Sequence, residues 1–477
     1  MTTHPLIGLE VHAQLLTESK MFCGCPTAFG APPNTQVCPV CTAQPGVLPV
    51  PNARAIEMVV RTGLAVNCGI ARSSVFARKN YYYPDLPKNY QISQYELPLC
   101  TNGHIAIDTP DGPKRIGIRR VHLEEDTGKN LHTGEGGTSR IDFNRCGVPL
   151  MEIVSEPDLS SADECRAYLQ KLQLILRWIG VCDGNMEEGS MRCEPTVNVV
   201  EEGGDRKTAL VEIKNLASFR VVHQAVGYEI DRHRKALADG EPTHRETRRW
   251  HDADNRTSPM RSKEEAHDYR YFPEPDLLPL EMTPEAVERV RAQMPELPDE
   301  MRGRFIEQLG LSEYDAGVMT QSREFAAFFE EATSAAGDAK AVANWMQSDF
   351  SRLLNEHTMS VSESRITPGS LARLVALIKD GTISGKTAKD IFDEMFATGR
   401  SPDEIVKQKG LTQISDESEL LRAIDEVIAA SPQVVESYKA GKTKAAGSLV
   451  GQVMKATGGR ANPQLVNQLL TKRLEEL

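Results

Sequence analysis

The segment "GLEVHAQ", Gly8 to Gln14, sets a carboxylate and an imidazole two residues apart. On an extended strand Glu10 and His12 face one side, while Leu9 and Val11 face the other. Such a pair can hold a divalent cation, although on its own a solvated strand face is the plainer reading. More carboxylates follow: Glu124, Glu125 and Asp126 in "VHLEEDTGKN", Glu152 and Glu156 in "PLMEIVSEPD", and Glu187, Glu188 and Glu194 in "GNMEEGSMRCE". Each acid alone fits the surface. Clustered, they repel one another unless a cation or water relieves them. Mg²⁺ prefers oxygen ligands and commonly bridges phosphates, so the set points to a phosphate-handling Mg²⁺ site.

A second chemistry is written in "FCGCPTAFGAPPNTQVCPVC". Cys23, Cys25, Cys38 and Cys41 can give four thiolates to a tetrahedral Zn²⁺, with four reduced cysteines as the plainer reading. A closed Cys₄ site has no open position, so its expected role is structural: to pin the loop leaving the Glu10/His12 strand. A third feature is "FARKNYYYPDLPKNYQISQY", Phe76 to Tyr95, where Arg78, Lys79 and Lys88 interleave with tyrosines. Cations among aromatics suit phosphates and stacked bases; a Tyr-rich packed hairpin is the alternative. "RSKEEAHDYRYFPEPD", Arg261 to Asp276, has the same texture.

Absences narrow the field. No Walker A loop is present: Gly385-Lys386-Thr387 and Gly441-Lys442-Thr443 have Asp380 and Glu436 where that pattern needs glycine. No Ser-Ser-Lys amidase set occurs, and Cys146 stands alone, so ammonia, if used, must be released by another chain.

These groups need a frame. The 477 residues allow about three domains, with ten cysteines from Cys23 to Cys193 in a chain expected to be cytosolic, reduced and unprocessed. No apolar run reaches membrane length. Net charge is −12, which opposes indiscriminate polyanion binding. Ser431 to Leu477, however, holds seven Lys/Arg against three Glu, a local +4. Residues 1–293 read as an α+β domain dominated by antiparallel sheet, with strands such as "LIGLEVHAQL", "IRRVHLEED", "PTVNVVEE" and "TALVEIKN". One clear helix interrupts them, capped by Ser161 and closed by Gly180. Residues 294–407 read as all-α, and 408–477 as a small basic helical tail domain.

Taken together, "GLEVHAQL", "KNYYYPDLPKNYQISQY", "HLEEDTGK", "DFNRCGVPLMEIVSEPD", "GNMEEGSMRCE", "EIKNL" and "MRSKEEAHDYRYFPEPDL" resemble the B subunit of the glutamine-dependent aspartyl/glutamyl-tRNA amidotransferases, the GatB family. "ISGKTAKDIF" and "GSLVGQVMKATGGRANPQLVNQLL" resemble that family's tail. The resemblance implies an ATP-dependent ligase subunit that binds mischarged Glu-tRNA or Asp-tRNA and phosphorylates the side-chain carboxylate. It implies an amidase-type glutaminase A partner that supplies ammonia, and a small C partner. It further implies Mg²⁺ on Glu10, His12, Glu124, Glu125 and Glu152, a phosphate contact from Lys79, and a substrate contact from Ser190. Structural Zn²⁺ on the four cysteines and ATP complete the expected cofactors. The chain departs from the family at Glu194-Pro195-Thr196, usually Asp-Ala-Asn, where an altered turn is expected, and at Ala217, usually Asn. A non-catalytic tRNA-binding scaffold and a small-molecule ATP-dependent ligase are the competing readings.

Overall fold

The computed structural model describes residues 2–132, 138–262, 266–411, 417–439, 445–457, 461 and 463–476. The chain forms two compact units, Met1–Leu297 and Pro298–Leu477.

The first unit is built on a nine-stranded sheet. Its strands are β1 (Thr3–Gln14), β2 (Gly69–Ile70), β3 (Cys100–Thr109), β4 (Gly112–Glu125), β5 (Pro149–Ser155), β6 (Met191–Glu201), β7 (Val211–Lys214), β8 (Glu246–His251) and β9 (Arg256–Ser262). Their order is β9-β8-β7-β6-β1-β5-β4-β3-β2. Only the β7–β8 pair is parallel. The fold class is the expected α+β, with an antiparallel-rich sheet and a helical C-terminal region.

β1 lies in the middle, and its burial alternates residue by residue. Ile7, Leu9, Val11 and Ala13 enter the hydrophobic core with Val121, Leu123, Met151, Ile153 and Val197 from the neighbouring strands. Helices α1 (Ala53–Ala65), α2 (Ala162–Trp178) and α3 (Phe219–Asp239) contribute to the same core. The opposite face of the central strands is left for polar side chains, because the β side-chain period is two.

Sequence texture shows only α2 plainly, and Ser161 caps it as expected by accepting from the Glu164 amide. The structure adds α1 and α3. Their stripes are regular: Ala55, Met58, Val59 and Thr62 on α1, and Val222, Ala225, Val226 and Glu229 on α3. Asn52 and Ser218 cap them. β-branched residues inside both stripes blur the helical signal, because Val lowers helix propensity and raises that for strand.

Residues Ala77–Asn80 and Tyr90–Ser93 form a hairpin, and Phe272–Pro273 joins it as a third strand. The two tyrosine-bearing stretches, almost 200 positions apart, therefore meet over the polar face.

The second unit is helical. The Gly385-Lys386-Thr387 tripeptide opens the helix Gly385–Thr398, capped by Ser384, as a helix start and not a phosphate loop. Gly441-Lys442-Thr443 lies outside the described residues. Leu420, Ile424, Leu449, Val453, Val466 and Leu470 share a core of their own. That core includes the acidic helix Glu417–Ala430. Counted over 408–477 as a whole, nine Lys/Arg meet eight Asp/Glu, a net +1 rather than the +4 of its last 47 residues. Arg473, one of the expected basic groups, is held by Asp425 at 2.8 Å.

Candidate active site

Antiparallel register assembles the polar face. His12 on β1 stands opposite Glu152 on β5, which stands opposite His122 on β4. On its other flank His12 faces Arg192 of β6. Directly paired residues share a face, so Arg192, His12, Glu152 and His122 form one row across four strands. The next row is Glu194, Glu10, Val154 and Arg120. Glu124 is one pleat beyond His122 on the same face of β4.

The row is compact. His12 Nε2 is 3.5 Å from Glu152 Oε2 and 3.8 Å from Glu124 Oε2. His122 Nε2 is 3.5 Å from both carboxylates. Ser93 donates to Glu124 Oε1 at 2.7 Å and Gln91 to Oε2 at 3.1 Å, so the hairpin fixes that carboxylate from above. Glu124, Glu152 and His122 are buried.

Burial pushes Glu152 up, but His122 and His12 outweigh it and hold the carboxyl well below its usual range. Burial and the charge of Glu152 likewise push Glu124 up; Lys79 and His122 prevail and lower it. His122 is pulled down by burial, yet the two carboxylates raise it to about 9. Burial also works against the Lys79 ammonium, which Glu124 and other negative groups keep well above its ordinary value. The result is a pair of buried carboxylates held ionised beside cations.

Ligand atoms of His12, Glu124 and Glu152 lie within 4.8 Å of one another. One imidazole and two hard oxygens suit Mg²⁺ or Mn²⁺ with open positions for phosphate or water. A cavity of ≈ 500 Å³ opens over them. Lys79, Arg120, Arg192 and Lys214 bring cations to its wall, and Tyr81, Tyr95, Tyr269 and Tyr271 bring aromatic faces. Tyr95 and Tyr271 stack at 4.2 Å with rings 5° from parallel. Lys79 Nζ lies 5.0 Å from the Tyr269 ring centre. Arg120 Nε and His122 Nδ1 are buried with no hydrogen-bond partner among the described residues. Such donors mark a place where a ligand completes the bonding.

Glu10 and Lys79 line this cavity with His12, Glu124 and Glu152. Glu125 does not. Alternation turns it to the other face of β4, where it pairs with Lys88 and accepts from the Ile92 amide at 2.9 Å. Ser190 is also elsewhere. Its hydroxyl bonds Asp183 and the Asn185 carbonyl, closing the turn that precedes β6. Glu194-Pro195-Thr196 lies within β6 and not in a turn; Glu194 reaches Lys214 at 2.5 Å. His122, Arg120 and Arg192 join the site without having been singled out by their spacing. The signal is nonetheless present: in "RVHLEED", period two sorts Arg120, His122, Glu124 and Asp126 to one face and Glu125 to the other. Asp126 in turn anchors Arg192 at 2.8 Å and accepts from Gln14 at 2.7 Å.

The sulfurs of Cys23, Cys25, Cys38 and Cys41 also lie within 4.8 Å of one another. A tetrahedral Zn²⁺ with Zn–S of about 2.3 Å sets its sulfurs about 3.8 Å apart. Cys38 and Cys41 Sγ are 3.9 Å apart, and the Cys38 amide points at Cys41 Sγ at 3.2 Å. The donor set therefore fits a structural zinc. Asn34 and Asn144 lace the knuckle loop to the Ile141–Asn144 segment.

Residues 5–288 match the family described as the GatB/GatE catalytic domain, and residues 327–474 match the GatB domain. The chain belongs to the GatB family. Proteins named as the B subunit of aspartyl/glutamyl-tRNA(Asn/Gln) amidotransferase match it end to end. The one from Caldanaerobacter subterraneus subsp. tengcongensis is 55% identical over 476 residues, and that from Thermodesulfovibrio yellowstonii 53% over 476, each covering 100% of both chains. The Geobacter sulfurreducens protein is 52% identical over 478 residues, again with full coverage. Both compact units thus carry GatB-family sequence, and the cavity lies wholly within the span of the catalytic-domain match. Among the described residues no helix is long and apolar enough to cross a membrane.

Proposed function

We propose that this chain is the tRNA-binding, ATP-using subunit of an aspartyl/glutamyl-tRNA(Asn/Gln) amidotransferase, and that the cavity over His12, Glu124 and Glu152 is its kinase and amide-forming site. The full-length relatives carry the name of that enzyme. The observation that bears most weight is the row across four strands with Glu124 one pleat beyond it: two buried, ionised carboxylates beside the His12 imidazole, beneath a cavity walled by cations. A scaffold that only bound tRNA would gain nothing from burying like charges.

The reaction has two steps. A side-chain carboxylate attacks the γ-phosphorus of ATP, giving an acyl phosphate and ADP. Ammonia then adds to the acyl carbon and phosphate leaves, giving the amide. Phosphoryl transfer asks for charge neutralisation and alignment more than for covalent help. His12, Glu124 and Glu152 would hold Mg²⁺, which when bound neutralises phosphate oxygens. Glu10 stands about 7 Å along β1 and contributes through bound water or the substrate ammonium group. Lys79 and the unpartnered Arg120 Nε donate to phosphate oxygens. Gln91 and Ser93 keep Glu124 turned into the site. The tyrosines offer flat faces to a terminal base and exclude water from the acyl phosphate. Ammonia comes from an amidase-type glutaminase partner, with a small third subunit completing the complex. We assign 1–293 to catalysis, 294–407 to a helical domain and 408–477 to tRNA contact.

The test uses the assembled complex with mischarged tRNA, ATP, Mg²⁺ and glutamine. Glu152→Gln should lower both ADP release and amide formation by at least about 100-fold while tRNA binding persists. Full ADP release in E152Q would refute the site.

A further inference from the structure

The zinc knuckle touches one group that neither the family match nor the thiol spacing explains. Lys20 is 1% exposed, one of the largest fully buried side chains in the chain. Its Nζ has two neighbours within hydrogen-bond reach: Cys41 Sγ at 3.5 Å and the Phe143 carbonyl at 3.3 Å. No carboxylate pairs with it among the described residues. Two acids line the same small cavity: Glu125, whose Oε1 is taken by Lys88 and the Ile92 amide, and Asp276, which pairs with Arg78 at 3.4 Å.

A buried ammonium facing only a carbonyl is costly, and it needs a negative partner. Four neutral thiols would not supply one. Four thiolates around Zn²⁺ would, since −4 and +2 leave −2 on the cluster. That charge is equally costly where Cys41 is buried. Metal and lysine together relieve both deficits. We propose that Lys20 is the built-in counter-cation of the zinc–tetrathiolate cluster, a positioning residue that sets metal retention through its charge on Cys41.

This rests on the zinc reading of the knuckle, so the experiment separates the two. Wild-type protein is purified without added metal and its zinc measured; Zn²⁺ affinity is then determined by competition with a chromogenic chelator at fixed pH. The same is done for Lys20→Met, Lys20→Gln and Lys20→Arg, with circular dichroism as a check on folding. Wild type is expected to hold one zinc. Lys20→Met and Lys20→Gln should each weaken it by roughly 10- to 100-fold, the usual effect of losing an outer partner of a metal ligand. Lys20→Gln keeps a donor for the Phe143 carbonyl, so its loss reports charge and not packing, and it serves where Lys20→Met fails to fold. Lys20→Arg should stay within a few-fold of wild type. Wild type free of zinc and unable to take it up overturns the metal reading itself. Zinc bound equally tightly by wild type and Lys20→Gln overturns the counter-cation alone.

Discussion

Glu229 on α3 is completely buried and does not line the cavity, and its acid titration gives a sharp prediction. Arg232 clasps Oε2 through two nitrogens at 2.9 and 2.7 Å, His233 Nε2 stands 3.3 Å away, Arg248 Nε is 3.2 Å from Oε1, and Thr257 donates to Oε1. Burial favours the neutral acid, but the bonds from His233, Arg232 and Thr257 win and set the carboxyl at about 2, against an ordinary 4.5. A drop of that size corresponds to about 3 kcal/mol favouring the ionised, folded state. The sign is that of a depressed acid. The contribution is complete above the unfolded value near 4.5 and disappears as pH falls towards 2. Thermal melts of wild type and Glu229→Gln, followed by tryptophan fluorescence between pH 7 and 2.5, test this. Trp250, fully buried on the adjoining strand, and Trp178 report on the first unit. The variant should be about 3 kcal/mol less stable at pH 7, and the gap should close progressively below pH 4.5. Parallel curves from pH 7 to 2.5 would refute the claim that the carboxylate charge, and not the shape of the side chain, carries the stability.

Two further outcomes follow from the placement of the acids and from the second unit. Mn²⁺ binding to the isolated chain, read by electron paramagnetic resonance, should weaken more than about 10-fold in Glu152→Gln and stay within about three-fold in Glu125→Gln; equal losses would put Glu125 back among the ligands. Removing residues 408–477 should weaken tRNA affinity roughly 10-fold at moderate salt and make the salt dependence shallower by about two phosphate contacts, as filter binding across a salt series would show; an unchanged slope would make this segment an ordinary solvated surface.

Much of this protein was legible one residue at a time. Period two in "GLEVHAQ" placed Glu10 and His12 on one face and Leu9 and Val11 in the core, because strand geometry is local. The spacing of Cys23, Cys25, Cys38 and Cys41 gave the knuckle for the same reason. The capping Ser161 and the apolar stripe of α2 fixed a helix from nearest-neighbour rules alone. What sequence could not supply was partnership between distant strands. That Glu152 lies between His12 and His122 depends on the pairing of β1, β5 and β4, and one residue of slip would turn every acid to the other face. Adjacency in the chain even misled: Glu124 and Glu125 are consecutive, yet one turns into the cavity with Ser93 and the other faces Lys88. The charge of the tail shows the same division. Its last residues are basic by count, but packing sets the acidic helix Glu417–Ala430 in the same core. Local rules fixed which face each side chain takes; only the register of the folded sheet and the packing of its helices decided which of them meet.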